Sequence, residues 1–271
     1  MIIDSHVHLG TNENISASVG QLLLSMDSAG IDKALVFAGR VGGCSNKYLM
    51  EQIKPYKDRL YGVASISIGR YWSAYRGFPS EINSDKDMSK NDMLDTLDVG
   101  AVGIKLYTGY EHYSPNSDAV KSILELIKDK NKPVIFHAGD CLNACEKAKL
   151  RYCQPIDVDD VAVDYPNNKF IISHLGNPWI KDTAQVCYKN KNVYADISGF
   201  VYGSFSLKDQ ILFKKSLNKF LEICPSDKLL FGTDWPISDQ SSYINVLNSS
   251  FGEVLSAQYL SGNVMKVFNL K

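Results

Sequence analysis

Short apolar runs alternate with longer segments of helical periodicity along the whole chain. Each run is rich in β-branched residues and is followed by a turn signal, then by a stretch with apolar positions three and four residues apart. The runs predict eight strands, at residues 2–7, 34–37, 61–67, 102–107, 134–136, 170–173, 193–197 and 229–232. The intervening stretches predict helices at 17–29, 47–56, 90–98, 117–130, 158–165, 183–189 and 209–223, and a last helical region starts at residue 243.

This alternation predicts the class of fold. In the fourth predicted helix, Val120, Ile123, Leu124 and Ile127 form one apolar stripe, as in a helix that packs on a sheet. Eight strand–helix units in about 250 residues predict an α/β fold, the (β/α)8 TIM barrel, as one domain over residues 1–271. A doubly wound sheet is disfavoured because it usually has fewer strands and carries a G-x-G-x-x-G turn, which this sequence lacks.

The longest predicted connection, residues 69–89, follows the third strand. It contains Arg70 and several aromatic residues, and long loops of this kind usually cover a functional site. We therefore expect it to be a lid or a subunit contact. The aromatic segment 71–78 is the candidate contact for a homo-oligomer.

Composition and charge narrow the range of partners. The 271 residues are 45% hydrophobic and 22% charged, which excludes a disordered or fibrous chain. The 29 basic and 30 acidic residues leave a formal net charge of −1, so neither nucleic acid nor an anionic membrane is expected as a partner. The first residues lack the cationic and apolar regions of a secretion signal, and no apolar run is long enough to cross a bilayer. We expect a cytoplasmic protein whose six cysteines, which include no C-x-x-C pair, are reduced thiols.

Four of the five histidines fall at or just beyond the ends of predicted strands. His6 and His8 are two positions apart in the first strand, so their side chains point to the same side. His137 follows the fifth strand and His174 the sixth. Because residues at the carboxyl ends of barrel strands converge on the barrel mouth, we expect these imidazoles to lie together there.

An acidic residue joins this group. Asp234 follows the eighth strand in the segment LLFGTDWP. A single buried histidine is often only a hydrogen-bonded core residue, but four of them beside a carboxylate would be costly to bury without a ligand. Imidazoles with one carboxylate suit Zn²⁺, with Mn²⁺, Fe²⁺ or Co²⁺ as alternatives. Asp196 and Ser198, at the end of the seventh strand, are expected to hydrogen-bond a ligating histidine.

These motifs occur in one order over nearly the whole chain: DSHVHLG, GIKLY, VIFHAGD, KFIISHLGNPW, VYADISG, LLFGTDWP and LSGNVMKVF. In this order they resemble the amidohydrolase superfamily. The sequence is most similar to the amidohydrolase-related branch, which contains small lactonases, other metal-dependent hydrolases and non-oxidative decarboxylases of aromatic acids. The resemblance implies a TIM barrel with one divalent metal ion, for which we expect zinc, with manganese as the alternative.

The resemblance also implies roles for the residues at the mouth. The implied metal ligands are His6, His8, His137 and Asp234. Asp234 would also accept a proton from the attacking water and return it to the leaving group. His174 would act on the substrate as an acid, a base or a carbonyl-polarising group in a mononuclear site, or would bind a second metal ion in a binuclear one.

Lys105 in GIKLY occupies the place where binuclear members of the superfamily carry a carboxylated lysine that bridges two metals. We expect instead a mononuclear site, in which the ammonium of Lys105 attracts a carboxylate of the substrate or forms a structural ion pair. Tyr107, Arg70 and Trp235 are further candidates for substrate binding. The substrate is therefore expected to be a small anionic molecule.

Three functions remain open. The leading hypothesis is hydrolysis of a small lactone, ester or amide by metal-activated water. The first alternative is a metal-dependent decarboxylase of a small carboxylic acid. The second alternative is a barrel that binds a ligand without turnover.

Overall fold

The structure is a computed structural model that describes residues 1–11, 16–38, 44–68, 89–141, 147–251 and 258–270. Eight parallel strands form one sheet in chain order. They are β1 (Ile3–His8), β4 (Lys33–Phe37), β5 (Leu60–Ser65), β6 (Gly103–Leu106), β7 (Val134–Phe136), β8 (Phe170–Ile172), β9 (Val193–Asp196) and β10 (Leu229–Leu230). A two-stranded antiparallel ribbon of β2 (Gly10–Thr11) and β3 (Ser16–Ala17) lies directly after β1.

The sheet curves until its first and last strands meet. The Ser5 amide donates to the Phe231 carbonyl oxygen at 2.8 Å. Further along, the amide of Asp234 donates to the carbonyl of His6 at 2.8 Å, and the amide of His8 donates to the carbonyl of Trp235 at 2.7 Å. The segment after β10 therefore continues the pairing with β1, and this closure brings two predicted site segments side by side.

Helices follow the strands on the outside of the barrel. They are α1 (Val19–Ala29), α2 (Asn46–Ile53), α3 (Lys90–Asp98), α4 (Thr108–Glu111), α5 (Asp118–Ile127), α6 (Asp157–Asp164), α7 (Ile180–Lys189), α8 (Leu207–Leu221), α9 (Gln240–Phe251) and α10 (Asn263–Phe268). Local sequence sets several of their starts. Ser18 and Gln21 form a capping box at the start of α1, and Ser206 and Asp209 form another at the start of α8.

The apolar core has two layers. Outward-facing strand residues such as Val36 and Phe136 pack against the helices. Inward-facing residues such as Leu35 and Ile135 fill the interior of the barrel, where Val264 and Phe268 of α10 close the end opposite the mouth. Since apolar side chains block this lower end, polar groups inside the barrel have access to ligands only through the upper end.

The predicted fold is confirmed, with each strand within about two residues of its expected bounds. Among the described residues, the unexpected elements include the β2–β3 ribbon and the short helix α4. The predicted helix at 17–29 was two residues too long, because Ser16 and Ala17 pair in the ribbon and Ser18 caps α1. No helix in the described ranges is long and apolar enough to cross a membrane. Arg70 and nearly all of the loop 69–89 lie outside the described residues.

Candidate metal centre

The closure between β1 and the segment after β10 brings three predicted ligands together. Both imidazoles of the H-x-H motif are almost completely buried. Oδ1 of Asp234 lies 3.1 Å from Nε2 of His8 and 3.5 Å from Nε2 of His6. His6, His8 and Asp234 therefore form one cluster of potential metal ligands.

A buried network positions Asp234. Its backbone has a φ of +71°, a conformation that side chains other than glycine, asparagine and aspartate rarely adopt. The preceding residue, Thr233, donates from its amide and its hydroxyl to the two oxygens of Asp4, at 3.0 and 2.6 Å. Gln240 donates to the same carboxylate at 2.8 Å. Burial raises the pKa of Asp4 to about 6, although these hydrogen bonds act in the opposite direction.

Asp196 and Ser198 orient two of the imidazoles, as expected from the sequence. Nδ1 of His6 lies 3.0 Å from Oδ2 of Asp196 and 3.0 Å from Oγ of Ser198. Nδ1 of His174 lies 3.1 Å from the Ser198 carbonyl oxygen and 2.9 Å from its hydroxyl. The amide of His174 donates to Oδ1 of Asp196 at 2.9 Å, which supports its backbone at a φ of +60°. The carboxylate and the carbonyl only accept, so both Nδ1 atoms carry a hydrogen. Burial lowers the pKa of His6, so that imidazole is neutral and its Nε2 carries a lone pair.

The neighbours of His137 fix its ring in the opposite tautomer, with the hydrogen on Nε2. Its amide donates to the Leu106 carbonyl oxygen at 2.8 Å, and its own carbonyl accepts from the Thr108 hydroxyl at 2.7 Å. Nε2 of the ring lies 3.0 Å from the carbonyl oxygen of Asp140. Because that oxygen only accepts, Nε2 carries the hydrogen and Nδ1 carries the lone pair. Nδ1 lies 3.3 Å from Nε2 of His174.

These assignments test whether the residues fit a cation. Nδ1 of His137, which carries a lone pair, lies 3.3 Å from Nε2 of His174. Nε2 of His6, which also carries a lone pair, lies 3.5 Å from Oδ1 of the buried Asp234 carboxylate. Two ligands that bind one zinc ion tetrahedrally lie about 3.3 Å apart. The two imidazoles and the carboxylate of the His6, His8 and Asp234 cluster therefore fit a divalent metal ion.

The electrostatics of the cluster favour neutral imidazoles and ionised carboxylates. Burial and the Lys105 charge together lower the pKa of His6 to about 3, against the pull of Asp196. Burial also lowers the pKa values of His8 and His137. Burial alone would raise the pKa of Asp234, but the hydrogen bond and charges of the histidines outweigh it and hold that pKa below its usual range. Neutral imidazoles and a carboxylate are the protonation states that metal binding requires.

Lys105 lies inside the barrel on β6, fully buried. Its Nζ donates to the Ser173 hydroxyl at 2.7 Å and lies 5.3 Å from the ring centroid of Phe37 and 5.6 Å from that of Tyr107. Burial lowers the pKa of Lys105 to about 8, against the pull of the Asp196 and Asp234 charges. Near pH 8 the lysine is therefore present in both forms. The ammonium form can bind an anion, and the neutral amine is the form that carboxylation requires.

Of the aromatic candidates, Tyr107 lies beside His137 and Lys105, and Trp235 follows Asp234 in the segment that pairs with β1. Tyr107 is almost fully buried, and its hydroxyl donates to the Ala38 carbonyl oxygen at 3.3 Å. Its ring stacks near that of His137 with the centroids 6.4 Å apart. Trp235 is 9% exposed and pairs through its backbone with His8. The fifth histidine, His112, bonds instead to the Lys147 carbonyl.

Sequence reasoning missed three groups that shape this site. The Asp140 carbonyl sets the tautomer of His137, and the Ser173 hydroxyl holds Lys105. Gly199, with a φ of +71°, leaves the space between His174 and Asp234 open. The ISG segment after the seventh strand was a usable signal for Gly199, whereas a backbone carbonyl gives no signal in a sequence.

Substituting Gly199 tests the importance of that space. A Cβ there would lie 2.6 Å from Nδ1 of His174 and 3.2 Å from Oδ2 of Asp234. We expect Gly199→Ala to weaken zinc binding, measured by chelator competition, by roughly ten-fold or more. The matched control is Gly203→Ala, because Gly203 has a φ of +74° but open space around its Cβ position. Equal losses in both variants would assign the effect to backbone strain and contradict this role.

Comparison with known sequences identifies the family of the chain. The sequence model of the amidohydrolase family matches residues 92–270, about two thirds of the chain. The chain therefore belongs to the amidohydrolase family, as the motifs predicted. That family assignment classes it as a metal-dependent enzyme.

A curated relative is protein fluG of Emericella nidulans. It is 29% identical over 124 residues, which make up 44% of this chain and 14% of that protein. The chain thus spans about 14% of the length of the curated relative that it matches.

Solved structures share the fold over the whole chain. A probable 2-pyrone-4,6-dicarboxylic acid hydrolase of Acinetobacter baumannii, crystallised with citric acid, is 18% identical with a TM-score of 0.72, and 99% of each chain is covered. The 2,6-dihydroxybenzoate decarboxylase of Rhizobium is 14% identical with a TM-score of 0.71 over 99% of this chain and 98% of that one. An amidohydrolase of Burkholderia multivorans with bound zinc is 13% identical with a TM-score of 0.71 over 100% of both chains. At these identities the likeness shows the fold.

Proposed function

We propose that this chain hydrolyses a small, anionic lactone, ester or amide with the help of one divalent metal ion, zinc in the first instance and manganese as the alternative. His6, His8, His137 and Asp234 would hold the ion. The observation that carries the proposal is the buried cluster of His6, His8 and Asp234, in which Oδ1 of Asp234 lies 3.5 Å and 3.1 Å from Nε2 of the two histidines. The zinc-bound structural relative supports the choice of metal.

The proposed reaction assigns separate tasks to the residues. When bound, the ion supplies Lewis acidity that lowers the pKa of a water toward about 7. Asp234, ionised and adjacent, accepts a proton from the attacking water and later returns it to the leaving oxygen or nitrogen. His174 polarises the substrate carbonyl. Its ring lies close enough to the proposed metal for this task, because its centroid is 5.0 Å from that of His6.

Lys105 is the reason for proposing a negatively charged substrate. Its ammonium is buried in the wall of the mouth, where low dielectric strengthens its attraction for a carboxylate. Tyr107 and Trp235 would form the walls around the substrate, and Arg70 is a further proposed contact. A relative with citric acid bound shares the fold, and citric acid is a small polycarboxylic acid.

Decarboxylation of a small carboxylic acid is the second candidate. It is favoured by the likeness in fold to 2,6-dihydroxybenzoate decarboxylase. The buried ammonium of Lys105, beside the proposed metal, would bind the carboxylate of such a substrate. In that reaction His174 would deliver the proton that replaces CO₂. The two candidates need the same metal site and differ in their products.

Metal content and products test both candidates. We expect about one zinc ion per chain after reconstitution, measured by elemental mass spectrometry. The zinc-loaded protein is then offered lactones and esters that carry a carboxylate, and aromatic acids, with the metal-free protein from the same batch as control. Acid release without CO₂ supports the hydrolase, and CO₂ release supports the decarboxylase. Failure to bind any divalent ion would refute both and leave a ligand-binding barrel.

The charge of Lys105 predicts a dependence of anion binding on pH. Citrate binding to the metal-free protein is expected to weaken as the pH rises through about 8, because the ammonium loses its proton there. Calorimetry between pH 7 and pH 9.5 measures this change. Lys105→Met should bind citrate weakly at every pH in this range. A wild-type affinity that stays constant across pH 8 would assign Lys105 to structure.

The same shift has a consequence for stability. The folded pKa of Lys105 lies below its unfolded value, so between about pH 8 and 10.5 the unfolded chain binds more protons than the folded one. Its contribution to the free energy of unfolding therefore rises with pH across this window. Lys105→Met should remove that rise in denaturant titrations.

A further inference from the structure

Two cysteines lie in contact beside the metal centre. Sγ of Cys141 is 3.4 Å from Sγ of Cys153. Cys153 is buried and fixed, since its amide donates to the Leu150 carbonyl at 2.9 Å and its own carbonyl accepts from the Gly139 amide at 2.8 Å. Cys141 is partly exposed, four residues after His137. Solvent thus reaches one thiol of the pair, and the second lies directly behind it.

The surrounding backbone leaves room for this pair. Gly109 of α4 lies against both sulfurs, and a Cβ at this position would overlap Sγ of Cys153 and lie 3.3 Å from Sγ of Cys141. The backbone of Gly109 is itself fixed, because its carbonyl accepts from the Lys149 amide at 2.9 Å. A rigid glycine therefore holds open the volume in which the two sulfurs meet.

The pair is connected to the metal centre through one turn. The Cys141 amide donates to the side chain of Asp140 at 2.8 Å, and the Asp140 carbonyl is the group that fixes Nε2 of His137. The Cys141 side chain also packs on Tyr110, whose ring centroid lies 4.7 Å from that of His137. A displacement of Cys141 is thus transmitted to the ring of a proposed metal ligand by a hydrogen bond and by packing.

We propose that Cys141 and Cys153 are a thiol–disulfide site that a low-molecular-weight disulfide oxidises. The Cys141 thiol attacks one sulfur of the oxidant RSSR, which forms a mixed disulfide and releases one RSH. The Cys153 thiol then attacks the Cys141 sulfur, the Cys141–Cys153 bond forms, and a second RSH leaves. The two thiols give up two electrons and two protons, and the oxidant takes up both.

Closure of this bond changes the metal centre. The two sulfurs must approach from 3.4 Å to about 2.05 Å, and Cys141 moves because Cys153 is fixed by its buried backbone. The movement shifts Asp140 and releases the tautomer lock on His137. This second step rests on the proposed function, since it takes His137 as a metal ligand. Loss of such an orienting hydrogen bond typically weakens metal binding by about 10- to 100-fold.

Peptide mapping of the full chain tests the disulfide itself, without reference to metal or activity. All samples carry Cys145→Ser, because Cys145 lies outside the described residues and could exchange. The metal-free protein is equilibrated with glutathione and glutathione disulfide, quenched by alkylation and digested. The expected product is one reversible Cys141–Cys153 link, with the buried thiol of Cys44 unchanged. Cys153→Ser should instead stop at a glutathione adduct on Cys141. Absence of the link in the parent would overturn the proposal. Protection of both thiols by one equivalent of added zinc would also overturn it, because potential ligand atoms of His137, Cys141 and Cys153 lie within 4.8 Å of one another and the three residues would then bind the metal.

The rate of zinc release to a chelator tests the coupling. Zinc should leave the oxidised protein at least about ten-fold faster than the reduced protein, and this difference should vanish in Cys141→Ser. Equal rates in the presence of a mapped disulfide would refute the coupling. Failure of both forms to bind zinc would refute the proposed function and leave the mapped disulfide as a separate result.

Discussion

Replacing Asp234 with asparagine is expected to lower turnover by at least about 10³-fold with zinc saturating. The amide nearly preserves the shape of the side chain but removes its negative charge and its ability to accept a proton. Both losses matter here, because Oδ1 of Asp234 lies 3.5 Å from Nε2 of His6 and 3.1 Å from Nε2 of His8 in a buried setting. The measurement is the initial rate on the substrate found in the product screen, with zinc content determined on the same sample.

The control for Asp234→Asn is Asp182→Asn, the same substitution at an exposed position on α7. It should leave turnover and thermal stability unchanged, since surface substitutions usually have small effects. Circular dichroism establishes that both variants are folded. If Asp234→Asn keeps more than about a tenth of the parental rate, Asp234 is not the group that transfers the proton.

The strands could be predicted because parallel barrel strands are buried on both faces. Val134 to Phe136 and Phe170 to Ile172 are continuous apolar runs, and nothing in such a run competes with the strand assignment. The ribbon β2–β3 and the helix α4 could not be predicted. Each is only two to four residues long, which is too short for a periodic pattern to appear.

The composition of the site could be predicted from the ends of the strands, and its arrangement could not. The sequence places His137 and Asp234 at one mouth because all eight strands run in the same direction. The geometry of the rings depends on groups that carry no side-chain signal, such as the Asp140 carbonyl. The sequence predicted that Asp196 would hydrogen-bond a ligating histidine, but it did not indicate that this histidine would be His6, 190 residues away.

The register of the sheet explains why Lys105 differs from the histidines. It pairs with Ser65 on one side and Ile135 on the other, one layer below the strand ends. A lysine at that depth has lost its hydration, and its position inside the barrel lets it act on the site through charge. From sequence alone, GIKLY was consistent with both an anion-binding residue and a metal bridge, and the proposed mononuclear site uses the first.

His137→Ala and His174→Ala are expected to separate the binding of metal from the binding of substrate. Removing His137 deletes a proposed ligand and should weaken zinc binding by at least about 100-fold. Removing His174 should leave about one zinc ion per chain and lower turnover, because its proposed task is to polarise the substrate. Zinc titration with a competing chelator measures the first effect, and the rate with saturating zinc measures the second.

The control for both variants is His112→Ala, since His112 bonds to the Lys147 carbonyl and its ring stacks on Tyr152. It should change neither quantity. If zinc binding depends on His174 and not on His137, the two residues have the opposite roles. The test is needed because Nδ1 of His137 and Nε2 of His174 lie only 3.3 Å apart, so either could be the ligand.

Two zinc ions per parental chain, with one lost in each variant, would instead require a binuclear centre. In that case a carboxylated Lys105 would become the bridging ligand, and citrate binding to the metal-free protein would no longer report on its role in the enzyme.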